Sequence, residues 1–395
     1  MHTQPYEYAL PDIQQDIVYI LKTPDRAFLA RGVENRLPPG VLDTLDARVR
    51  AFFSGQDGRK GLLVGAFPFE RTEQDCFFQP EDIREGFAFQ STESLPVGTP
   101  LALTLQPSRA EYADWVRRAL SLIGEDADAD PLRKVVLSRA LTLTAARPIA
   151  PLALGARLAA ADPSVATFVV PLPADHPGET RVMVGATPEL LLSKRGRNIA
   201  SHPLAGSARR EKDPEADGKA ADTLLHSGKD QREHALVVES ILDTLAPFCD
   251  VLSAPQQPSL RSTAAMWHLG TRITGRLKDP DVGSAGLAAA LHPTPAIAGY
   301  PAAKACRAIR EIETHRRDFY AGALGWIDSA GNGDWYVTLR CAEIAGARIS
   351  LFAGAGIVAG SDPEAETAET SAKLETMLRA LGLDEQGKTL AESPQ

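Results

Sequence analysis

Apolar positions along the chain follow two periods. The apolar run Gly61–Phe69 and the runs rich in β-branched residues at Val135–Leu143, Thr167–Pro171 and Val182–Ala186 predict strands. Between them, Glu111–Ile123 carries Trp115, Leu120, Leu122 and Ile123 at helical spacing with Arg117 and Arg118 on the other side, and leads into an acidic loop, Gly124–Asp130. Glu233–Leu245 likewise sets Leu236, Val237, Ile241 and Leu245 on one helix face. Further on, Ala321–Asp328, Asp334–Ala342 and Arg348–Ala353 are separated by Ser329–Gly333 and Ile344–Ala347, turn chemistry that predicts an antiparallel meander rather than βαβ units. A helix from about Glu366 to Leu381 follows, then a polar tail, Asp384–Gln395. No repeat interrupts the pattern, which predicts an α+β fold with large antiparallel sheets.

Composition narrows the function. With 395 residues, 44% hydrophobic and 24% charged, the chain can bury a sizeable core. Its 42 Lys+Arg against 51 Asp+Glu give a net charge of −9, which disfavours nucleic acid and anionic membrane surfaces as partners. The N-terminus lacks the basic and apolar regions of a signal peptide, and no run approaches the roughly 18 apolar residues of a membrane span, so a cytoplasmic location is expected. Cys76, Cys249, Cys306 and Cys341 lie far apart without C-x-x-C pairing, which predicts free thiols.

Two matched acidic spacings stand out: Asp230-x-x-Glu233 and Glu366-x-x-Glu369, each at the start of an expected helix. Acids there can simply complement the helix dipole. If the two helix starts converge, a divalent cation relieves the repulsion, and carboxylates without His or Cys select Mg²⁺ over zinc. The run Ser350–Gly360 places Gly354, Gly356 and Gly360 after a strand, a glycine turn suited to a carboxylate or phosphate but wrongly spaced for a dinucleotide. Lys134, opening Lys-Val-Val-Leu-Ser-Arg139, is either a solvated strand end or a desolvated amine. Glu189 is either a helix-start acid or a semi-buried general acid, His268 among Met266 and Trp267 is a core or a functional histidine, and His292 before Pro293 reads as structural.

Together these segments resemble the chorismate-utilising enzyme family, and within it the isochorismate synthases of siderophore and related pathways. The resemblance spans about Ala110 to Leu383. It rests on Lys134–Arg139, Gly185–Leu190, Pro203–Arg210, Lys229–His234, His292–Ala296, Gly325-Trp326, Arg340–Ala342 and Ala353–Val358, in the family's order. It implies one large α+β unit, 1–395, acting as a monomer, with two antiparallel sheets sandwiched together, helices outside and the active site between. Residues 110–383 would form the chorismate-binding catalytic region, 1–105 would complete the sheets, and 384–395 would be a tail. By analogy Lys134 is the base that activates water for attack at C2 of chorismate, and Glu189 the acid that protonates the departing C4 hydroxyl. The Mg²⁺ ligands fall on Glu233 and Glu369, with Asp230 and Glu366 behind them. Arg340 and Tyr320 would hold the enolpyruvyl carboxylate and His268 would sit near the ring carboxylate. Gly206, Ser207, Thr271, Ala296, Gly354 and Lys373 would complete the substrate-binding wall.

The chemistry is consistent with that assignment. Chorismate is a dianion, so a chain of charge −9 needs a local cationic pocket, which Mg²⁺, Arg340 and Lys373 would supply. Anthranilate-type relatives usually carry Gln where Lys134 stands, and aminodeoxychorismate synthases carry a lysine where this chain has Ala205. Thr187 stands where relatives often have Ser. Salicylate synthases share the base and the acids but go on to eliminate pyruvate, which makes them the alternative reading. A dinucleotide-binding oxidoreductase built on Gly354–Gly360 and a non-catalytic metal-binding module would leave Lys134 and Glu189 unused.

Overall fold

The computed structural model describes residues 18–390 except 56–60, 88, 90, 92–94, 96–99, 127, 175–178 and 385. The first 17 residues and the last five of the expected tail therefore lie outside the described residues. Among the described residues two large antiparallel sheets dominate. The ten-stranded sheet runs, edge to edge, through Gly299–Tyr300, Lys134–Thr144, Arg348–Val358, Cys341–Ala345, Arg181–Thr187, Ala166–Leu172, Val18–Lys22, Ala27–Arg31 and Asp82–Glu85, with Ala102–Gln106 paired to the far half of Lys134–Thr144. The nine-stranded sheet runs through Cys249–Ser253, Ile273–Leu277, Asn198–His202, Leu190–Arg195, Gly333–Val337, Ala323–Asp328, Leu62–Phe67, Cys76–Gln79 and Asn35–Arg36. A small sheet of Leu204–Arg209, Met266–Gly270 and Ser259–Ser262 completes the set.

One apolar cluster draws residues from both large sheets, among them Tyr19, Phe168 and Leu137 from the ten-stranded one and Phe67, Phe77 and Trp335 from the other. Tyr19 is fully buried and its hydroxyl donates to Gly325 O across the gap at 3.0 Å, which satisfies a phenol that would otherwise be an uncompensated polar group in the core. His292 is structural here: it is buried, packs edge-on against Phe67, and bonds Phe69 O through Nε2 at 2.9 Å. A second cluster lies under Pro151–Ala161 and Pro363–Ala380, which cover the other face of the ten-stranded sheet.

Helix boundaries follow their caps. Ser108 and Glu111 form a reciprocal capping box at the start of Arg109–Glu125. Ser227 accepts from Asp230 N to open Gly228–Leu245, five residues before the expected start, and Asp362 accepts from Ala365 N to open Pro363–Ala380. Two expectations change. The predicted strand Asp334–Ala342 is two strands in different sheets, Gly333–Val337 and Cys341–Ala345, separated at Thr338–Arg340, where Arg340 has φ +49°. The predicted glycine turn falls only at its end: Gly354 and Gly356 lie inside one continuous strand, Arg348–Val358, paired along Lys134–Thr144 from Arg348↔Thr144 to Val358↔Lys134, and the chain turns after it at Gly360, which has φ +87°. Gly354 and Gly356 sit inside the strand because neighbouring groups press on them, Leu137 O and the Tyr320 hydroxyl on Gly354 and the side chains of Glu233 and Lys134 on Gly356, not because their φ requires glycine.

Candidate active site

Two neighbouring crossovers between the large sheets set the site's floor. The chain leaves Arg181–Thr187, passes Pro188 and Glu189, and enters Leu190–Arg195 of the other sheet. Antiparallel to it, Gly333–Val337 passes through Thr338–Arg340 into Cys341–Ala345. The two crossings are laced together by Val337 N to Glu189 O at 3.1 Å and Ala186 N to Arg340 O at 3.1 Å. A sheet switch frees side chains that a continuous strand would commit to one face, and both Glu189 and Arg340 turn into the same cavity.

That cavity is lined by eleven of the residues singled out above: Glu189, Gly206, Ser207, Glu233, His268, Ala296, Tyr320, Arg340, Gly354, Glu369 and Lys373. Its walls are Val136 and Phe352–Gly356 of the ten-stranded sheet, Leu204–Ser207 and His268 of the small sheet, and the helices bearing Glu233 and Glu369. Lys134, Asp230, Glu366 and Thr271 do not line it. Lys134 lies one contact behind, fully buried, with Nζ 2.9 Å from Glu233 Oε1 in an ion pair whose angles do not make an aligned hydrogen bond. Thr271 is buried and its hydroxyl shares a 2.7 Å hydrogen bond with His234 Nε2. Asp230 packs beneath Gly206, which has φ +76° and where a Cβ would come within 3.0 Å of the Asp230 Cβ.

Three of the four acids in the two matched pairs hold an ammonium partner. Glu366 is buried and takes Lys229 Nζ at 2.6 Å. Glu369 takes Lys373 Nζ at 2.6 Å and the Ser207 hydroxyl at 2.9 Å, while Lys373 also donates to Gly354 O at 2.8 Å. Burial raises the Glu366 pKa, helped by the neighbouring charge of Glu369 and opposed by Lys229. Burial would raise Glu369 too, but Lys373 and Ser207 outweigh it and hold that carboxyl below its usual value. Asp230 is pushed up, chiefly by burial and also by Glu233. Four carboxylates thus meet three ammonium groups, those of Lys134, Lys229 and Lys373.

The donor set fits a hard divalent cation, since it offers carboxylate oxygen without thiolate or imidazole. Among the described residues no three acidic, His or Cys side chains already stand at ligating distance; Lys134 and Lys229 hold Glu233 and Glu366 in ion pairs instead. Gly356 leaves the necessary room: a Cβ there would lie 2.4 Å from Glu233 Oε1 and 3.0 Å from Lys134 Cε.

Opposite these acids the wall is cationic. Arg340 Nη2 donates to His268 Nε2 at 2.6 Å, so that nitrogen is an acceptor and the ring neutral; burial, then Arg340 and Lys373, push the His268 pKa well below its ordinary value. Tyr320 stacks on Phe352 at 5.0 Å, and burial raises its phenol. Glu189 is buried, and burial lifts its pKa to about 8 against the opposing charges of Lys134, Arg340 and Lys373. A carboxylic acid protonated at neutral pH, facing arginine and lysine across a cavity, can donate a proton to a leaving group on an anionic ligand.

Some supporting residues carry no sequence signal. Arg317 donates to Val136 O at 2.6 Å and Ile297 O at 2.8 Å, fixing two cavity-lining segments, and its guanidinium is held by Glu313, which also accepts from Ser138 N at 2.7 Å. Glu313 and Arg317 lie in no quoted motif; only their four-residue separation hints at pairing. Lys229 could have been found, since it opens the quoted segment Lys229–His234.

Comparison with known proteins agrees with this geometry. The family described as chorismate binding enzyme matches residues 72–382. The chain is 40% identical to isochorismate synthase DhbC of Bacillus subtilis, across 93% of this chain and 94% of that protein. It is 35% identical to isochorismate synthase EntC of Escherichia coli, across 92% and 95% respectively. A crystal structure assigned to the 2,3-dihydroxybenzoate-specific isochorismate synthase DhbC of Bacillus anthracis superposes with a TM-score of 0.87 at 39% identity, covering 94% of this chain and 97% of the other. With the family matched over residues 72–382, relatives 35–40% identical across more than nine-tenths of the chain, and a superposable fold, the chain belongs to the chorismate-binding enzyme family.

Proposed function

We propose that this chain is an isochorismate synthase of the siderophore type, an isomerase that adds water at C2 of chorismate and expels the C4 hydroxyl, with Mg²⁺ as its divalent cation. One observation carries the reading: Glu189, with a pKa of about 8, opens on the same cavity as Glu233, whose carboxylate holds Lys134, and the Lys134 charge is near enough to oppose the burial of Glu189. The acid therefore opens on the cavity and the base stands one contact behind it, within reach of one ligand once the Lys134–Glu233 pair parts.

In this reading Lys134, in its neutral amine form once its ion pair with Glu233 has opened, takes a proton from the attacking water, and protonated Glu189 gives one to the departing hydroxyl, so the ring changes substituent without net redox change. Arg340 and Lys373 hold the substrate's carboxylates, and Tyr320 on Phe352 shapes the side that receives the enolpyruvyl group. Glu233 and Glu369 would hold the cation, with Asp230 and Glu366 behind them; when bound it supplies positive charge against a substrate carboxylate. The cavity as it stands measures about 90 Å³, well below the roughly 300–1,000 Å³ common for small-molecule sites, so side chains now joined in ion pairs must part to admit the ring. Incubating the protein with chorismate and Mg²⁺ and separating the products tests the assignment. Isochorismate alone is expected; salicylate with pyruvate would replace the reading by a salicylate synthase, and no turnover would remove it.

A further inference from the structure

Beside the cavity lies a much larger cleft, about 910 Å³, and the two share a wall residue, Arg340. Three elements run continuously from one into the other. The strand Leu204–Arg209 puts Gly206 and Ser207 on the cavity and Arg209 on the cleft. The helix Pro363–Ala380 puts Glu369 and Lys373 on the cavity, then Glu375, Thr376 and Arg379 on the cleft. Ala186 faces the cleft two residues before Pro188 and three before Glu189, both of which face the cavity. The boundary is also open in the sheet: Arg348–Val358 pairs with Cys341–Ala345 only as far as Leu351↔Ala342, and Lys373 rather than a strand takes Gly354 O.

The charge of this cleft opposes that of the molecule. Its lining holds six Lys and Arg against four Asp and Glu, within a chain of net charge −9. Arg209 and Arg379 share a single acid, Glu375, at 2.7 and 2.5 Å. Arg157 donates only to a backbone carbonyl, Ala380 O, and Lys212 has no ion-pair partner among the described residues; both are exposed. Lone cations at a cleft mouth are poor stabilisers but create a local positive potential in a protein that otherwise repels anions, and such a potential raises encounter rates by about 10- to 1,000-fold at low salt.

We propose that this cleft is the path by which the dianionic substrate reaches the catalytic cavity, with Arg157 and Lys212 steering it inward and Arg340 receiving it at the boundary. The inference rests on chorismate being the substrate. The test compares the Mg²⁺-loaded wild type with the double variant Arg157→Glu/Lys212→Glu and with a control of the same net charge, Arg36→Glu/Arg118→Glu, at exposed positions outside both cavity and cleft. At an ionic strength of about 0.02 M, where the Debye length exceeds about 20 Å, the cleft variant is expected to lose about tenfold or more in kcat/KM for chorismate with kcat within about twofold. That deficit should shrink at about 0.5 M salt, and the control should stay within about twofold of wild type throughout. A cleft variant that matches the control at low salt overturns the proposal. So does a deficit in kcat, or one that persists at high salt, because either reports local damage rather than steering. If the wild type itself does not turn over chorismate, the substrate reading fails first and this inference falls with it.

Discussion

At the scale of single residues, burial decides which groups can exchange protons. Glu189 with a pKa of about 8 is protonated through the neutral range, so a reaction that needs it as an acid should hold its rate below that value and lose it as pH rises through about 8. A kcat/KM–pH profile, which reports the free enzyme, with no descending limb between about pH 7 and 9 would separate Glu189 from the proton transfer. Linkage gives an independent readout. A carboxyl whose pKa is raised by folding binds its proton more tightly in the native state, so its contribution to stability is full below its ordinary value near 4.5 and declines as pH rises through 8. Glu189→Gln keeps the shape without the charge. It should abolish turnover yet melt higher than wild type at pH 9, which differential scanning calorimetry would show. Lys134→Ala should lower kcat by about 100-fold or more, the usual worth of a positioned base. It also strands the Glu233 carboxylate, so the melting temperature should be measured beside the rate; near-normal isochorismate production would assign water activation to another group.

At the scale of elements, the site depends on where strands stop and which positions carry no side chain. Gly356→Ala introduces a Cβ 2.4 Å from Glu233 Oε1, and the atom that must move is the end of a flexible side chain rather than backbone. The fold should therefore tolerate the change within about 1 kcal/mol, while metal affinity measured by calorimetry and kcat/KM both fall by about tenfold or more, since orientation of such ligands is worth that much. Unaltered metal binding would show that Glu233 need not occupy its present position. Much of this was legible in advance. The strand around Lys134, the helices after Asp230 and Glu366, and the hairpin turns were all carried by period, β-branching and turn residues, and the segment order carried the family. The crossover at Arg340 was not, because Thr338-Leu339-Arg340 contains neither Gly nor Pro and extends the alternation of Asp334–Val337 into that of Cys341–Ala345. Gly354 and Gly356 misled for a related reason: glycine marks close approach as readily as it marks a turn, and only the packed neighbours, Leu137 and Tyr320 at Gly354 and Glu233 at Gly356, distinguish the two. Lys373 and Glu369 are a local pair four residues apart on one helix, but the pairing of Lys134 with Glu233 and of Lys229 with Glu366 joins distant stretches, the latter 137 positions apart, beyond any local pattern.

At the scale of the molecule, the cavity is assembled from the ten-stranded sheet, the small sheet, two helices and both crossovers, so whatever binds there ties together parts of the chain from Val136 to Lys373. A ligand that binds only the native state raises stability by about 2.7 kcal/mol at a hundred times its dissociation constant. For a chain of this length that corresponds to roughly 3 °C in Tm, because the unfolding entropy scales with residue number. Mg²⁺ at that excess should therefore shift one cooperative transition upward as a whole, and Glu369→Gln should remove most of the shift while leaving the metal-free Tm nearly unchanged, since Ser207 and Lys373 can still donate to the amide oxygen. Scanning calorimetry with and without Mg²⁺ decides the matter. Two transitions, only one of which responds, would mean that the site stabilises one part of the chain and that the large sheets unfold separately. An unchanged Mg²⁺ shift in Glu369→Gln would move the cation off Glu369 and onto the remaining acids, Glu366 of Pro363–Ala380 and Asp230 and Glu233 of Gly228–Leu245.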